Sequence, residues 1–265
     1  MIFLIKILNR VRQSLTVMIG LYANCCLATE RIQIVTNDYE PFVSSNPEKP
    51  GFILEVVKKL FELANIPLEV KFYPWRRCEK LVEAGEVFAA LPYFKNEDRV
   101  NRFEFSRPLA NSVNRFFYSV DRFPEGFSWS SLNSFIDKKI AAVSGYWYIK
   151  SFKRAGISMV MVNSDEQSIA MLLKGRADFS LMDEMTALII IKKNHNQFLN
   201  KIKYVERPES VEKFFLMVSR KYDGQKEILK HFNKGLIGLK KNGRYINIMH
   251  KYDVPKYYYS DLLVF

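Results

Sequence analysis

Cysteine and histidine are scarce in this chain, with three of each among 265 residues. Cys25 and Cys26 lie close to the N-terminus, which leaves Cys78 without a partner for an internal disulfide. The three histidines are scattered and show no spacing typical of a metal site. A Ser-His-Asp set and a phosphate-binding glycine loop are also lacking. We therefore expect no metal and no cofactor.

Acidic residues are absent from the first 28 residues. Lys6, Arg10 and Arg12 precede a mostly apolar core at 15–27, and Ala28 closes the segment with a small side chain. This layout is typical of a secretory signal peptide. A retained membrane anchor is the alternative, although the core is shorter than the roughly 20 residues that a bilayer span needs.

Removal of residues 1–28 would leave 237 residues, enough for one large or two small domains. The segment carries three basic residues and no acidic one, so the net charge of +12 would fall to +9. We expect a periplasmic protein whose positive charge favours an anionic ligand or the anionic envelope. Nucleic acid is not an expected partner there.

The stretch from Phe72 to Leu109 predicts a strand, a helix, a second strand and a polar loop. Pro74 suits the first turn of the helix and Gly85 its end. Residues 87–91 form an apolar run that is typical of a buried parallel strand. Arg99 follows in the polar loop. Because ligands bind beyond the carboxyl ends of such strands, this loop is a candidate binding edge.

The same alternation recurs along the chain. A strand at 31–36 and a helix at 51–65 complete a β-α-β-α-β unit, which favours a mostly parallel sheet covered by helices. A second unit follows the strand at 113–120. It includes a helix opened by a capping box at Ser164 and a helix at 183–195, with Leu188 and Ile189 expected to face inward. The last strand, at 214–219, and a long helix at 225–242 return to the first unit, which predicts two interleaved lobes.

Short motifs stand in a particular order along the mature chain: Tyr39-Glu40-Pro41-Phe42, Phe105-Ser106-Arg107-Pro108, Gly175-Arg176-Ala177-Asp178 and Phe232-Asn233-Lys234-Gly235-Leu236. With Gly85, Arg99, Gly145 and Asp183 between them, the chain resembles the family 3 extracellular solute-binding proteins. Members of that family feed polar amino acids and similar solutes to ABC importers.

The resemblance implies a two-lobed periplasmic-binding-protein fold of type II, an α/β fold with two hinge strands. Lobe 1 would comprise 29–117 and 208–265, and lobe 2 would comprise 118–207. It also implies a monomer that binds a small-molecule ligand and delivers it to an ABC permease in the inner membrane.

In the family, the arginine that matches Arg99 grips the carboxylate of the ligand, and the acid that matches Asp183 holds its ammonium. A guanidinium offers parallel donors to a carboxylate and stays charged. Asp183 would also serve as a helix N-cap. The remaining candidate ligand-binding residues are Tyr39, Trp75, Arg77, Asn96, Tyr146 and Trp147. First-turn packing is the alternative for Trp75, and a surface ion pair is the alternative for Arg77.

The chain departs from the family where specificity is set. Asn96 replaces a hydroxyl residue, Tyr146 replaces Thr or Ser, and Phe88 replaces an acid, so an ordinary amino acid is not assured as the ligand. An enzyme resembling cyclohexadienyl dehydratase is one alternative, with Glu55 or Glu184 as its acid. A sensory subunit for a membrane receptor is another.

Overall fold

The computed structural model describes residues 31–263, and the predicted signal peptide lies outside them. The fold is the expected two-lobed α/β architecture. Its strands are β1 (Ile32–Thr36), β2 (Leu68–Phe72), β3 (Ala89–Tyr93), β4 (Phe103–Phe105), β5 (Ala110–Ser119), β6 (Lys139–Val143), β7 (Ser158–Val162), β8 (Phe179–Asp183), β9 (Ile202–Tyr204) and β10 (Ser210–Ser219).

Eight α-helices lie within the described residues. They are α1 (Phe52–Leu63), α2 (Trp75–Ala84), α3 (Glu97–Arg102), α4 (Ile149–Arg154), α5 (Asp165–Leu173), α6 (Glu184–Asn194), α7 (Gln225–Lys241) and α8 (Arg244–Lys251). Short 3-10 helices occur at Leu132–Phe135, Asn196–Phe198, Lys256–Tyr258 and Ser260–Leu263. None of the helices in residues 31–263 combines the length and the apolar character required to cross a membrane.

The strands follow the order β2-β1-β3-β10-β5-β8-β6-β7. Pairing is parallel at the two ends of this order, where β1 joins β2 and β3, and β6 joins β7 and β8. The central strands β5 and β10 run antiparallel to each other and link the two lobes. The predicted boundary after residue 117 falls inside β5, and the one after 207 falls just before β10. The division of the lobes at these positions stays a prediction.

Each lobe buries both faces of its sheet. In lobe 1, Ile34 faces the core under α1 and α7, while its neighbour Val35 faces α2 together with Cys78. In lobe 2, Ala141 and Ala142 face opposite cores in the same way. Successive side chains on a strand point to opposite faces, so a strand covered on both sides reads as a continuous apolar run.

Three local predictions were wrong. The polar loop that carries Arg99 is helical from Glu97 to Arg102, because Asn96 caps its first turn by accepting a hydrogen bond from the backbone N–H of Arg99 at 2.8 Å. Leu188 is 42% exposed, and Ala187 and Ile191 face the core in its place. The last strand begins at Ser210 and not at 214, since its polar first residues pair with β5.

Candidate functional site

A small cavity of about 40 Å³ lies where the two lobes meet. Lobe 1 and the crossing strand β10 provide most of its lining, and the loop after β6 closes it from lobe 2. The lining residues are Tyr39, Trp75, Pro92, Tyr93, Phe94, Arg99, Gly145, Tyr146, Trp147 and Phe214. Five of the eight predicted site residues are therefore brought together, while Arg77, Asn96 and Asp183 are not part of this lining. We refer to it as the aromatic cavity.

Aromatic rings from opposite lobes touch across the aromatic cavity. The ring centroids of Tyr39 and Tyr146 lie 6.4 Å apart, and those of Phe94 and Trp147 lie 4.6 Å apart, both in edge-to-face arrangements. Gly145 lies in the loop that carries Tyr146 and Trp147. Its φ of +90° is readily adopted only by glycine, so the turn that presents these two rings depends on glycine at this position. The lobes are thus in contact, and the cavity between them is nearly filled by side chains.

Among the described residues that line the aromatic cavity, Arg99 alone is charged, and it is 7% exposed. Its Nε and Nη2 donate to Oε2 of Glu79 at 3.2 and 3.0 Å. Nη1 donates to the backbone oxygen of Phe94 at 3.4 Å, and the guanidinium carbon lies 4.7 Å from the centroid of the Tyr93 ring. A guanidinium has five N–H donors. One N–H on Nη1 and one on Nη2 therefore have no hydrogen-bond partner among the described residues.

Two predicted site residues have other contacts in this structure. The Asn96 side chain is occupied as the cap of α3. Arg77 is exposed on α2, where its guanidinium carbon lies 4.2 Å from the centroid of the Tyr73 ring. Contact of either residue with a ligand stays a prediction.

Asp183 is fully buried at the end of β8 and caps α6. Its Oδ1 accepts from the backbone N–H groups of Met185 and Thr186, and its Oδ2 accepts from the Ser112 hydroxyl and the Val113 N–H. The Tyr258 hydroxyl lies 3.2 and 3.1 Å from the two oxygens. Burial raises the pKa of Asp183 to about 7, although these donors act to lower it. The N-cap role is observed, and contact with a ligand stays a prediction.

The C-terminal tyrosines have a structural role that sequence reasoning did not identify. Tyr258 is fully buried and reaches Asp183, while the hydroxyl of Tyr257 lies 3.4 Å from Oε1 of Glu184. Asn111 on β5 donates to the backbone oxygen of Tyr257 at 3.1 Å. This segment therefore joins the crossing strand β5 to the start of α6.

Two carboxylates that contact residues of the aromatic cavity were not among the candidates from the sequence. Glu79 accepts hydrogen bonds from the Nε–Nη2 edge of the Arg99 guanidinium, although 20 residues separate the two in sequence. Asp165, at the start of α5, is 7% exposed and accepts a hydrogen bond from the hydroxyl of Tyr146. An acidic residue in the first turn of a helix is explained by the helix dipole alone, so no pattern in the sequence distinguishes Asp165 as a site residue.

The two acids considered for an enzyme lie outside the aromatic cavity. Glu55 contacts Lys251 at 2.8 Å and accepts from the Tyr252 hydroxyl at 2.7 Å. Glu184 pairs with Nε of Arg115 at 2.6 Å. Within residues 31–263, no group of three or more His, Cys, Asp or Glu side chains could hold a metal ion.

Solved structures of similar shape place the fold among type II periplasmic binding proteins. A histidine kinase sensor domain with similarity to periplasmic binding proteins has a TM-score of 0.74 and 19% identity. The match covers 84% of this chain and 96% of the sensor domain. An ancestral amino acid-binding protein, a precursor of cyclohexadienyl dehydratase, has a TM-score of 0.68 and 18% identity. The match covers 84% of this chain and 94% of the ancestral protein. At these identities, the similarity shows the fold alone.

Sequence comparison identifies the family. A probable amino-acid ABC transporter-binding protein of Haemophilus influenzae is 25% identical over 213 residues, which is 77% of each chain. The family model for bacterial extracellular solute-binding proteins, family 3, matches residues 32–254 and so spans both lobes. The chain therefore belongs to the family 3 bacterial extracellular solute-binding proteins.

Proposed function

We propose that this protein captures a small carboxylate-bearing solute, an amino acid or a related compound, and presents it to an ABC permease in the inner membrane. The protein would be exported to the periplasm through its N-terminal segment and act there as a monomer. It would perform no covalent chemistry. Binding would shift the equilibrium between open and closed lobes, and the permease would recognise the closed form.

The observation that supports this proposal is the buried Arg99 in the aromatic cavity. A cation that is 7% exposed and retains a donor on each of Nη1 and Nη2 can accept a carboxylate in a two-point contact. The surrounding rings exclude water, which strengthens the attraction between the charges. Tyr39, Trp75, Tyr146 and Trp147 would form the walls against which the rest of the solute packs.

The small volume of the aromatic cavity supports capture by closure. About 40 Å³ has room for little more than water, so a solute must enter while the lobes are apart and displace ring contacts between them. Contacts between the lobes would restrain the closed form. Lys150 pairs with Asp98 at 3.3 Å, and the Thr186 hydroxyl donates to the backbone oxygen of Glu40 at 2.8 Å.

A thermal-shift screen tests the proposed ligand class. The purified protein would be melted with amino acids, dipeptides, organic acids and amines, each in large excess. A ligand at about 100 times its dissociation constant stabilises a protein by roughly 2.7 kcal/mol, which gives a clear rise in Tm. We expect stabilisation by at least one carboxylate-bearing compound. Responses confined to compounds without a carboxylate would contradict the proposal.

A further inference from the structure

The described lining of the aromatic cavity presents one charged group, Arg99, to a solute. Seven of the ten lining residues are aromatic, and the other two are Pro92 and Gly145. A zwitterionic amino acid carries an ammonium group as well as a carboxylate. A buried ammonium needs both a counter-charge and acceptors for its N–H groups. The carboxylates that neighbour this lining therefore decide whether an ammonium can be held there.

Glu79 neighbours the aromatic cavity through Arg99. Its Oε2 accepts from Nε and Nη2 of Arg99 at 3.2 and 3.0 Å, and its Oε1 accepts from Nη2 of Arg102. Arg102 also pairs with Asp98 and Glu83, so the charges of this cluster compensate one another. Glu79 is not part of the lining, and each of its oxygens already has a cationic partner.

Asp183 lies close enough to Tyr39 to interact with its hydroxyl electrostatically, but it is closed to a solute. It has no exposed surface, and five hydrogen-bond donors of the chain surround its two oxygens. The donors are the backbone N–H groups of Val113, Met185 and Thr186 and the hydroxyls of Ser112 and Tyr258. An ionised carboxylate has about four lone-pair sites, so Asp183 has none left for an N–H group of a solute.

Asp165 neighbours the aromatic cavity through Tyr146, whose hydroxyl donates to its Oδ2. Its Oδ1 is shielded from solvent by the surrounding residues. Burial raises the pKa of both Asp165 and Asp183 to about 7, so neither group is fully ionised at neutral pH. Two shielded and partly protonated carboxyl groups provide little counter-charge for an ammonium inside the aromatic cavity.

The position of the ammonium in an amino acid adds to this shortage of counter-charge. The ammonium is bonded to the carbon next to the carboxylate, so it would lie close to the Arg99 guanidinium that holds the carboxylate. Like charges repel strongly in a cavity from which water is excluded. An uncharged body is favoured instead, because the rings of Phe94 and Phe214 are stacked 4.4 Å apart and are 5% and 2% exposed. Apolar groups that pack against such surfaces are stabilised by their removal from water.

We propose that the aromatic cavity selects a carboxylate with an uncharged, apolar body, namely an aromatic or branched aliphatic acid that has no amino group. Arg99 holds the carboxylate, and the rings of both lobes enclose the body. The inference rests on the proposed solute-binding function and narrows it to one class of solute. It replaces the contact with an ammonium that the family resemblance implies for Asp183, whose oxygens instead bind β5, α6 and the C-terminal segment.

Calorimetry with matched probes tests the inference. Phenylalanine and hydrocinnamate differ only in the amino group, as do leucine and isocaproate, and phenethylamine carries the amino group without the carboxylate. We expect each deaminated acid to bind the purified protein at least about tenfold more tightly than its amino acid, because burial of an unpaired ammonium opposes binding. Phenethylamine should not bind. Arg99→Ala should weaken hydrocinnamate binding about 30-fold or more, whereas Arg244→Gln, at an exposed position on α8, should leave it unchanged.

Asp183→Asn provides a second readout. Asparagine is also a favourable N-cap, so α6 keeps its cap in this variant. We expect the substitution to change the affinities for phenylalanine and for hydrocinnamate by the same factor. A loss of affinity confined to phenylalanine would show that Asp183 holds the ammonium, and the inference would be wrong.

The remaining outcomes separate this inference from the proposed function. If phenylalanine or leucine bound as tightly as its deaminated acid, and lost that affinity in Arg99→Ala, the inference would be overturned and a carboxylate-binding protein would still stand. The same conclusion would follow if neither pair bound while another carboxylate in the thermal-shift screen did. Binding of phenethylamine with no response to any carboxylate would refute both proposals.

Discussion

Oε2 of Glu79 lies 3.0 Å from Nη2 of Arg99 and 3.2 Å from its Nε, so the proposed solute clamp already holds a carboxylate from its own chain. Glu79 also contacts Arg102, which is paired in turn with Glu83 at 3.1 Å. The internal pair compensates the Arg99 charge in this structure. It also places a negative charge beside the position that a solute carboxylate would take.

We therefore expect Glu79→Gln to tighten the binding of a carboxylate-bearing solute by about tenfold, since like charges several ångströms apart repel in a partly buried site. Titration calorimetry with the solute from the screen measures this. Glu83→Gln is the matched control, because Glu83 lies on the same helix and pairs with Arg102 but not with Arg99. Equal affinities of Glu79→Gln and the unmodified protein would mean that the solute does not approach Arg99.

The stability of the protein should depend on pH through Asp165. Burial raises the pKa of this carboxyl to about 7, whereas an unfolded chain has an Asp pKa of about 3.9. Between these values the folded state holds the proton more tightly, so ionisation of Asp165 reduces the free energy of unfolding as pH rises towards 7. Asp165→Asn cannot ionise, and its Tm should exceed that of the unmodified protein at pH 8 but not at pH 5.

Melting curves of both proteins across this pH range check the prediction. Asp137→Asn is the control, and its effect on Tm should have the opposite sign. Lys138 lowers the pKa of Asp137, so the negative charge of Asp137 favours the folded state. If the Tm difference between Asp165→Asn and the unmodified protein did not change with pH, burial would not disfavour the charge of Asp165, and the prediction would be wrong.

The C-terminal tyrosines offer a test of the Asp183 environment. Tyr258→Phe removes the hydroxyl that contacts both oxygens of a fully buried carboxylate, so we expect a loss of about 1–2 kcal/mol in the free energy of unfolding. Chemical denaturation measures it. Tyr257→Phe is the control, since Tyr257 is 51% exposed and its hydroxyl lies 3.4 Å from Glu184. If the two variants had the same free energy of unfolding, the contact between Tyr258 and Asp183 would contribute nothing to stability.

Much of the fold could be predicted because its signals are local. Gly85 ends α2 in the left-handed region with φ of +84°, and Ser164 caps α5 by accepting from the N–H of Gln167. The helix predicted at 225–242 is observed as α7, Gln225–Lys241. By contrast, α3 has only six residues, too few for a periodic pattern, and the sequence alone does not distinguish its cap, Asn96, from a ligand contact.

The site could be predicted only in part, for a related reason. The aromatic residues Tyr39, Tyr146 and Trp147 follow strand ends, and the topology brings such loops together. The pairing of Glu79 with Arg99 depends on how α2 packs beside α3, which no local pattern encodes. The hydrogen bond from the Tyr146 hydroxyl to Asp165 is likewise a property of the packed lobes, because an acid at the start of a helix is ordinary in sequence.

The most direct test of the account is the affinity of Arg99→Ala for the solute that the screen identifies. Glu79 keeps Arg102 as a partner in this variant, so the substitution leaves no isolated carboxylate. Arg244→Gln, a change at an exposed position on α8, is the control for loss of a positive charge. By calorimetry, we predict that Arg99→Ala loses about 2–5 kcal/mol of binding free energy while Arg244→Gln loses none. Unchanged affinity of Arg99→Ala would contradict the proposal that Arg99 holds the solute.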